Sequence, residues 1–270
     1  MSLSNPLVSF IIPYFNAGET IQETVDSIFN QTYSNFDIWI VNDGSTDSES
    51  IEKLKELQKH DRITVLHQEN AGPSVARNLA IEKSTADFFL PLDSDDFIAK
   101  DAIEKSMKII LEETQVGAIY GDFKWFGAKD GLKKQADFQI EKQFLMNQIA
   151  VTALIRKEMW KELGGYDTFL SKPGLEDWEF WLKAGLSHWK LKYIDLQFFS
   201  VRVNENSRTY KVANKNLDNI KKYVYEKHAN ALANQYEKLF YQTKQLLETP
   251  DYKIGKLLMS PYRMLKKWLK

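Results

Sequence analysis

The chain opens with blocks of apolar residues whose spacing changes from block to block. Leu7-Val8-Ser9-Phe10-Ile11-Ile12 is a short apolar run closed by Pro13, the pattern of a buried strand. Ile21, Val25, Ile28 and Phe29 then fall at i, i+4, i+7 and i+8, one stripe of an amphipathic helix. Phe36-Asp37-Ile38-Trp39-Ile40-Val41 is again strand-like and stops at the turn signal Asn42-Asp43-Gly44-Ser45. Ile51 and Leu54 predict a second helix, Ile63 to Leu66 a third strand, Val75 and Leu79 a third helix. Phe88 to Leu92 is a fourth strand, and Ile103, Met107, Ile110 and Leu111 return to helical spacing. This alternation predicts an α/β fold, a mostly parallel twisted sheet with helices on both faces. Ligands bind such sheets beyond the carboxyl ends of the strands. Pro13–Asn16, Asn42–Ser45, His67–Asn70 and Asp93–Asp96, the polar residues that end these strands, are therefore expected on one edge.

The pattern dissolves from Lys124 to Asn147, which predicts a long polar loop with some helix. A strand is expected at Ile149–Ile155, a turn at Gly164-Gly165-Tyr166-Asp167 and a helix over Glu176–Gly185. Trp189–Ile194 and Phe198–Val203 follow as two strands. Beyond about Val212, lysines interleave with helical stripes at Leu217, Ile220 and Val224, then at Leu232, Tyr236 and Leu239. The expected division is an α/β domain over residues 1–210 and a helical appendage over 211–270.

Composition narrows the function classes. A chain of 270 residues can bury a proper core, and 43% hydrophobic with 27% charged residues is ordinary for a globular protein. A net charge of −1 offers no field that would select nucleic acid. The absence of cysteine excludes disulfides and thiolate metal sites and suits a reducing compartment. Four scattered histidines leave oxygen ligands as the holders of any metal. The opening Met1-Ser2-Leu3-Ser4-Asn5 lacks a secretory leader's basic start and apolar run, and no stretch approaches the about 20 apolar residues that span a bilayer. The expectation is a cytoplasmic protein, free or peripheral on the inner face of the plasma membrane. Lys253 to Lys270 carries six basic and no acidic residues among Ile254, Leu257, Leu258, Leu265, Trp268 and Leu269. Two readings of this tail stand side by side: a membrane interface, basic side toward anionic lipid, or docking on the domain or on a second copy in a homo-oligomer.

Three aspartates within Asp93-Ser94-Asp95-Asp96 repel one another unless a cation sits among them or one stays protonated. Directly after an apolar strand, a hard divalent cation such as Mg²⁺ or Mn²⁺ is the simplest neutraliser. In isolation the cluster reads equally well as a solvated turn with an aspartate N-cap. Asn42–Asp47 could likewise be only a turn capping the next helix, Arg77 only a surface ion pair, and Glu176-Asp177 only a favourable helix N-terminus.

The combination of motifs changes that weighing. Val8-Ser9-Phe10-Ile11-Ile12-Pro13-Tyr14-Phe15-Asn16, Val41-Asn42-Asp43-Gly44-Ser45-Thr46-Asp47, Asn70 to Asn78, Leu92-Asp93-Ser94-Asp95-Asp96 and Glu176-Asp177-Trp178-Glu179-Phe180-Trp181-Leu182 occur in this order. Order and spacing resemble the family 2 glycosyltransferases of GT-A fold, across roughly residues 6–205. The resemblance implies an inverting transfer of a hexosyl or N-acetylhexosaminyl group from a nucleotide-sugar, typically a UDP-sugar, to a saccharide or lipid-linked acceptor. Enzymes of this kind build bacterial surface polysaccharide and glycolipid. A nucleotide-binding half over about 6–122 and an acceptor half over 123–210 follow. Pro13 and Phe15 would lie against the base, Asp43 would accept from it, Arg77 would help hold the nucleotide and Asp93 would contact the ribose side. Asp95 would ligate Mn²⁺ or Mg²⁺, and Asp177 would be the general base, with Glu176, Trp178, Arg202 and Arg208 as candidate acceptor or diphosphate contacts.

Trp178, Trp181 and Leu182 also fit a core-facing helix stripe. The sequence departs from the family pattern twice. Tyr14-Phe15 stands where a small residue and a tyrosine are usual, and Asn204 stands near where a histidine is common, so no histidine contact carries over. Two rival readings are a sugar-phosphate nucleotidyltransferase and a non-catalytic nucleotide-sugar-binding protein on a degenerate transferase fold. The first would need a basic, glycine-rich loop after the first strand, where Pro13-Tyr14-Phe15-Asn16-Ala17-Gly18-Glu19 has no lysine or arginine. Intact Asp95 and Asp177 argue against the second.

Overall fold

The computed structural model describes residues 5–203 and 214–249. Nine strands among these residues form one sheet. Strand β1 (Val8–Tyr14) lies between β2 (Phe36–Asp43) and β4 (Phe88–Pro91), and β3 (Ile63–Gln68) flanks β2, all parallel. The register pairs Tyr14 with Asn42 and Asn42 with His67. The predicted polar strand ends are thus drawn together at one edge.

Beyond β4 the sheet becomes mixed. Strand β8 (Leu154–Arg156) enters antiparallel between β4 and the long β6 (Val116–Gly127). Strand β9 (Lys190–Val203) runs parallel to β6 and antiparallel to the short β5 (Phe97–Ile98), and β7 (Gly131–Lys133) folds back on β6. Where the sequence suggested two strands after Trp189, β9 is continuous, with register irregularities around Gly121 and Asp122 of its partner. Only Leu154–Arg156 of the expected Ile149–Ile155 segment is strand. Part of the expected loop, Lys124–Gly127, is strand instead, because β6 continues beyond the core as a partly exposed ribbon.

Side-chain alternation along β1 divides the core between the two faces of the sheet. Val8, Phe10, Ile12 and Tyr14 meet α1 (Ile21–Phe29), α2 (Ser48–Leu57) and α4 (Ala102–Glu112). Ile11, with Val41 and Phe89, faces α3 (Pro73–Lys83), α6 (Lys157–Glu162) and α7 (Glu176–Leu186). Each buried aliphatic side chain contributes about 1.5–3 kcal/mol. The short α5 (Ile140–Gln143) packs on α7.

By compactness the chain divides into residues 1–221 and 222–270. Helix α8 (Asn214–Lys227) runs through that division, and α9 (Ala229–Glu248) follows it. Along α9, Tyr236, Leu239, Phe240, Leu246 and Leu247 are exposed. Among the described residues no helix is long and apolar enough to cross a membrane. Arg208, Asn204 and the basic tail from Lys253 lie outside the described residues.

Candidate active site

The loops at the strand edge are fastened by side chains. Asn16 adopts a left-handed backbone (φ 49°), which asparagine tolerates better than most residues. Its Oδ1 accepts from the backbone of Thr46 (2.8 Å) and Asp47 (3.3 Å), locking the loop after β1 to the loop after β2. Asp43 is buried at the end of β2. Its Oδ1 accepts from Gln68 Nε2 (2.7 Å) and Ala71 N (2.8 Å), and its Oδ2 from Gly72 N (2.8 Å). The carboxylate therefore shapes the Asn70–Gly72 loop and keeps lone-pair capacity for one further donor. Pro13 is partly buried beside Phe15, whose ring is 48% exposed.

Gly72 has φ +86°, and a Cβ there would come 2.8 Å from the backbone oxygen of Ser171. Only glycine lets this loop lie against the segment that leads to α7. The Ser171 hydroxyl accepts from Ser74 N (3.1 Å) across the same seam.

The aspartate cluster follows β4. Thr20 Oγ1 donates to the Ser94 carbonyl (3.0 Å) and pins the turn to the start of α1. Asp96 is buried and accepts from Arg202 N (3.0 Å); burial and the charges of Asp93 and Asp95 hold its carboxyl well above the usual range. Asp95 is pushed up to about 6, first by burial and then by Asp93. Among the described residues, the Asp95 carboxylate takes no hydrogen bond from another residue, and no three His, Cys, Asp or Glu side chains gather as a closed metal site. A hard cation that draws one or two carboxylates from the protein and the rest of its shell from phosphate oxygens does fit this set.

Arg77 connects this cluster to α7. Its guanidinium is 3% exposed and reaches Asp93 Oδ1 through one terminal nitrogen (2.7 Å) and Glu176 Oε1 through the other (2.6 Å). It also lies over the Tyr166 ring, 5.8 Å from the centroid. Asn78, on the same helix, clasps Tyr166 by its backbone, donating to the carbonyl (2.8 Å) and accepting from the amide (2.9 Å). The predicted Gly164–Asp167 turn is thereby fixed to α3.

Helix α7 begins at a strained junction, with Gly174 at φ +101° and Leu175 at φ +61°. A leucine in this region costs on the order of 1–3 kcal/mol and persists only where surrounding packing dictates it. Immediately afterwards Asp177 Oδ1 accepts from Trp178 N (2.9 Å) and Oδ2 accepts from Asn147 Nδ2 (2.8 Å). Burial, reinforced by Glu176, pushes the Asp177 carboxyl up to about 7, against the opposing influence of Arg77 and the two hydrogen bonds. A carboxylate with such a value accepts a proton readily near neutrality.

Several candidates lie away from open space. The Trp178 indole is 2% exposed and donates to the Gln143 carbonyl, while Trp181 and Leu182 are fully buried, so these side chains belong to the core. Arg202 pairs with Glu23, donates to the Asp95 carbonyl (3.3 Å) and stacks over Phe126 and Phe97 at 4.7 and 5.3 Å. It thus braces the aspartate turn from behind. Asn147, Gln143 and Asn78 contact the site residues without having been singled out from the sequence. A polar stretch without periodicity gave no signal for the first two, and Asn78 was visible only as the end of a motif.

The profile of the family described as "Glycosyl transferase family 2" matches residues 9–165. An uncharacterized glycosyltransferase of Haemophilus influenzae is 38% identical over 112 residues, 41% of this chain and 44% of the relative. Glycosyltransferase GlyA of Streptococcus pneumoniae is 38% identical over 126 residues, 46% of this chain and 18% of its own length. The chain thus spans less than half of each of these relatives. The crystal structure of S. aureus TarS 1-349 in complex with UDP-GlcNAc superposes with a TM-score of 0.65 at 20% identity, covering 76% of this chain and 61% of that one. At such identity the likeness concerns the fold.

Proposed function

The chain belongs to glycosyl transferase family 2, and from that premise we propose that it is an inverting glycosyltransferase using a nucleotide-sugar donor, a UDP-sugar first among the candidates. One observation carries the reading: Asp177, poised near neutrality, sits beside Glu176, and Arg77 ties Glu176 to Asp93 at the strand edge. Residues 6–122 hold the nucleotide and residues 123–210 receive the acceptor.

In this reading Pro13 and Phe15 form the wall for the base, Asp43 offers its remaining acceptor capacity to a base N–H, and Asp93, held by Arg77, meets the ribose. Arg77 serves the nucleotide chiefly by fixing Asp93, since both of its terminal nitrogens are engaged by carboxylates. A Mn²⁺ or Mg²⁺ held by Asp95 would supply positive charge to the departing diphosphate. Asp177 takes the proton of an acceptor hydroxyl as that oxygen bonds to the anomeric carbon. The bond from carbon to the diphosphate oxygen breaks, its electron pair leaves with the nucleotide, and the configuration inverts. The crystallised TarS neighbours hold UDP in one complex and UDP-GlcNAc in another, which supports the donor class. A saccharide or lipid-linked acceptor completes the proposal, and the basic tail has two candidate partners, the inner face of the plasma membrane and the protein itself, as its own domain or a second copy.

A nucleotide-sugar panel in a thermal-shift assay with Mn²⁺ tests it, because ligand that binds only the folded state raises its stability. UDP release from the donor that stabilises most is then followed with saccharide acceptors. Stabilisation by UDP-sugars with turnover lost in Asp95→Asn and Asp177→Asn is expected. Binding of UDP without turnover of any donor would favour the non-catalytic reading.

A further inference from the structure

The base proposed above is held by a side chain from the unpatterned stretch, and the direction of that hydrogen bond follows from the backbone. Gln143 is fully buried. Its side-chain amide meets two groups whose roles cannot reverse. The Gln148 backbone N–H only donates, and it reaches Gln143 Oε1 at 3.1 Å; the Trp178 carbonyl only accepts, and it lies 3.0 Å from Gln143 Nε2. Gln148 Nε2 also donates to Gln143 Oε1 (3.2 Å), while its own position is held by bonds to the Gln139 carbonyl and from the Gln139 N–H. The Gln143 amide therefore has one orientation, with its NH₂ toward Asn147 Oδ1 (3.3 Å). Asn147 must turn its oxygen to Gln143 and its NH₂ to Asp177 Oδ2. An amide flip at either residue would set like against like.

We infer that Asn147 is a positioning residue: with its polarity dictated by Gln143, it presents only a donor to Asp177 and holds that carboxylate ionised and aimed. A carboxylate can use this donor; a carboxyl protonated on Oδ2 toward Asn147 cannot. Together with Trp178 N, each oxygen of Asp177 meets one N–H and keeps a lone pair for an incoming hydroxyl proton. Among the described residues, the charged and titratable groups facing Asp177 include Glu176 on its own helix, Arg77 from α3 and Tyr166 from the preceding turn. Glu176 and burial favour the protonated form, and the Asn147 donor works against them.

The inference rests on Asp177 being the base, yet it can be tested without turnover. Aspartate labelled with ¹³C at the side-chain carboxyl gives a resonance for Asp177, assigned by its loss in Asp177→Asn, whose pH titration reads the ionisation directly. In the near-isosteric Asn147→Leu the midpoint should rise by about one unit, a tenfold change in the proton equilibrium. Asn147→Asp, which keeps the volume and turns the donor into a second carboxylate, should shift it at least as far. UDP binding in both variants reports that the fold is intact. A midpoint unchanged within about 0.3 unit in both folded variants overturns the inference. Full transferase activity in Asp177→Asn would instead remove the base assignment while leaving the titration result standing.

Discussion

The strand edge and the start of α7 both gather carboxylates, and they treat them in opposite ways. At the edge, Asp43 is buried and accepts from three donors in a loop it helps to build. At α7, Asp177 is left with two donors and a neighbouring glutamate, and its carboxyl rises to about 7. The difference lies in what surrounds each carboxylate: donors from Gln68, Ala71 and Gly72 at the edge, burial and a neighbouring Glu176 at α7. The aspartate turn lies between these extremes, with Asp93 satisfied by Arg77 and Asp95 raised to about 6.

The contrast breaks most visibly at Asp177. In Asp177→Asn, turnover should fall by about 10²–10⁴-fold, the range for loss of a general base, while UDP affinity changes less than about threefold. Steady-state kinetics beside UDP titration separate the two, and an equal loss in both would erase the distinction between regions. Next comes the shared cation. Arg77→Met removes the buried guanidinium that Asp93 and Glu176 share and should destabilise the protein by about 3–5 kcal/mol, read by chemical denaturation. Adding Glu176→Gln should recover part of that loss.

A smaller effect is expected at Asp95. Removing its charge should abolish the Mn²⁺-dependent part of UDP binding, a loss of about 10–100-fold in titrations with and without metal. In the metal-free protein Asp95→Asn should be slightly more stable than wild type above pH 6. A folded pKa raised above its unfolded value of about 3.9 means stability declines as pH climbs from about 4 to 6 and stays reduced above that window. The smallest effect concerns pH alone. For wild type, kcat/KM should rise with pH through about 7 and level off as Asp177 ionises.

Much of the strand edge was legible because buried parallel strands are continuous apolar runs and their ends carry turn residues. Val8–Tyr14 and Phe36–Asp43 needed no tertiary information beyond that. The ribbon of β6 beyond Asp122 was not legible, since Lys124 and Gly127 are exposed and its stability comes from pairing with β9, some seventy residues later. Gln143 and Asn147 were hidden for a related reason. A buried glutamine has no sequence signature when its partners are a carbonyl of a distant helix and the amides of its own loop. The pairing of Arg77 with Glu176, 99 positions apart, was equally beyond pattern reading, although both residues had been marked singly.

Arg77 has a consequence for how such a protein can change over generations. Two divergent N–H groups on a rigid plane serve two carboxylates, a geometry the single ammonium of lysine does not reproduce. A drift at position 77 would take the shared guanidinium from both 93 and 176. Positions 77, 93 and 176, scattered through the gene, are therefore expected to be inherited as one character: kept together, or lost together.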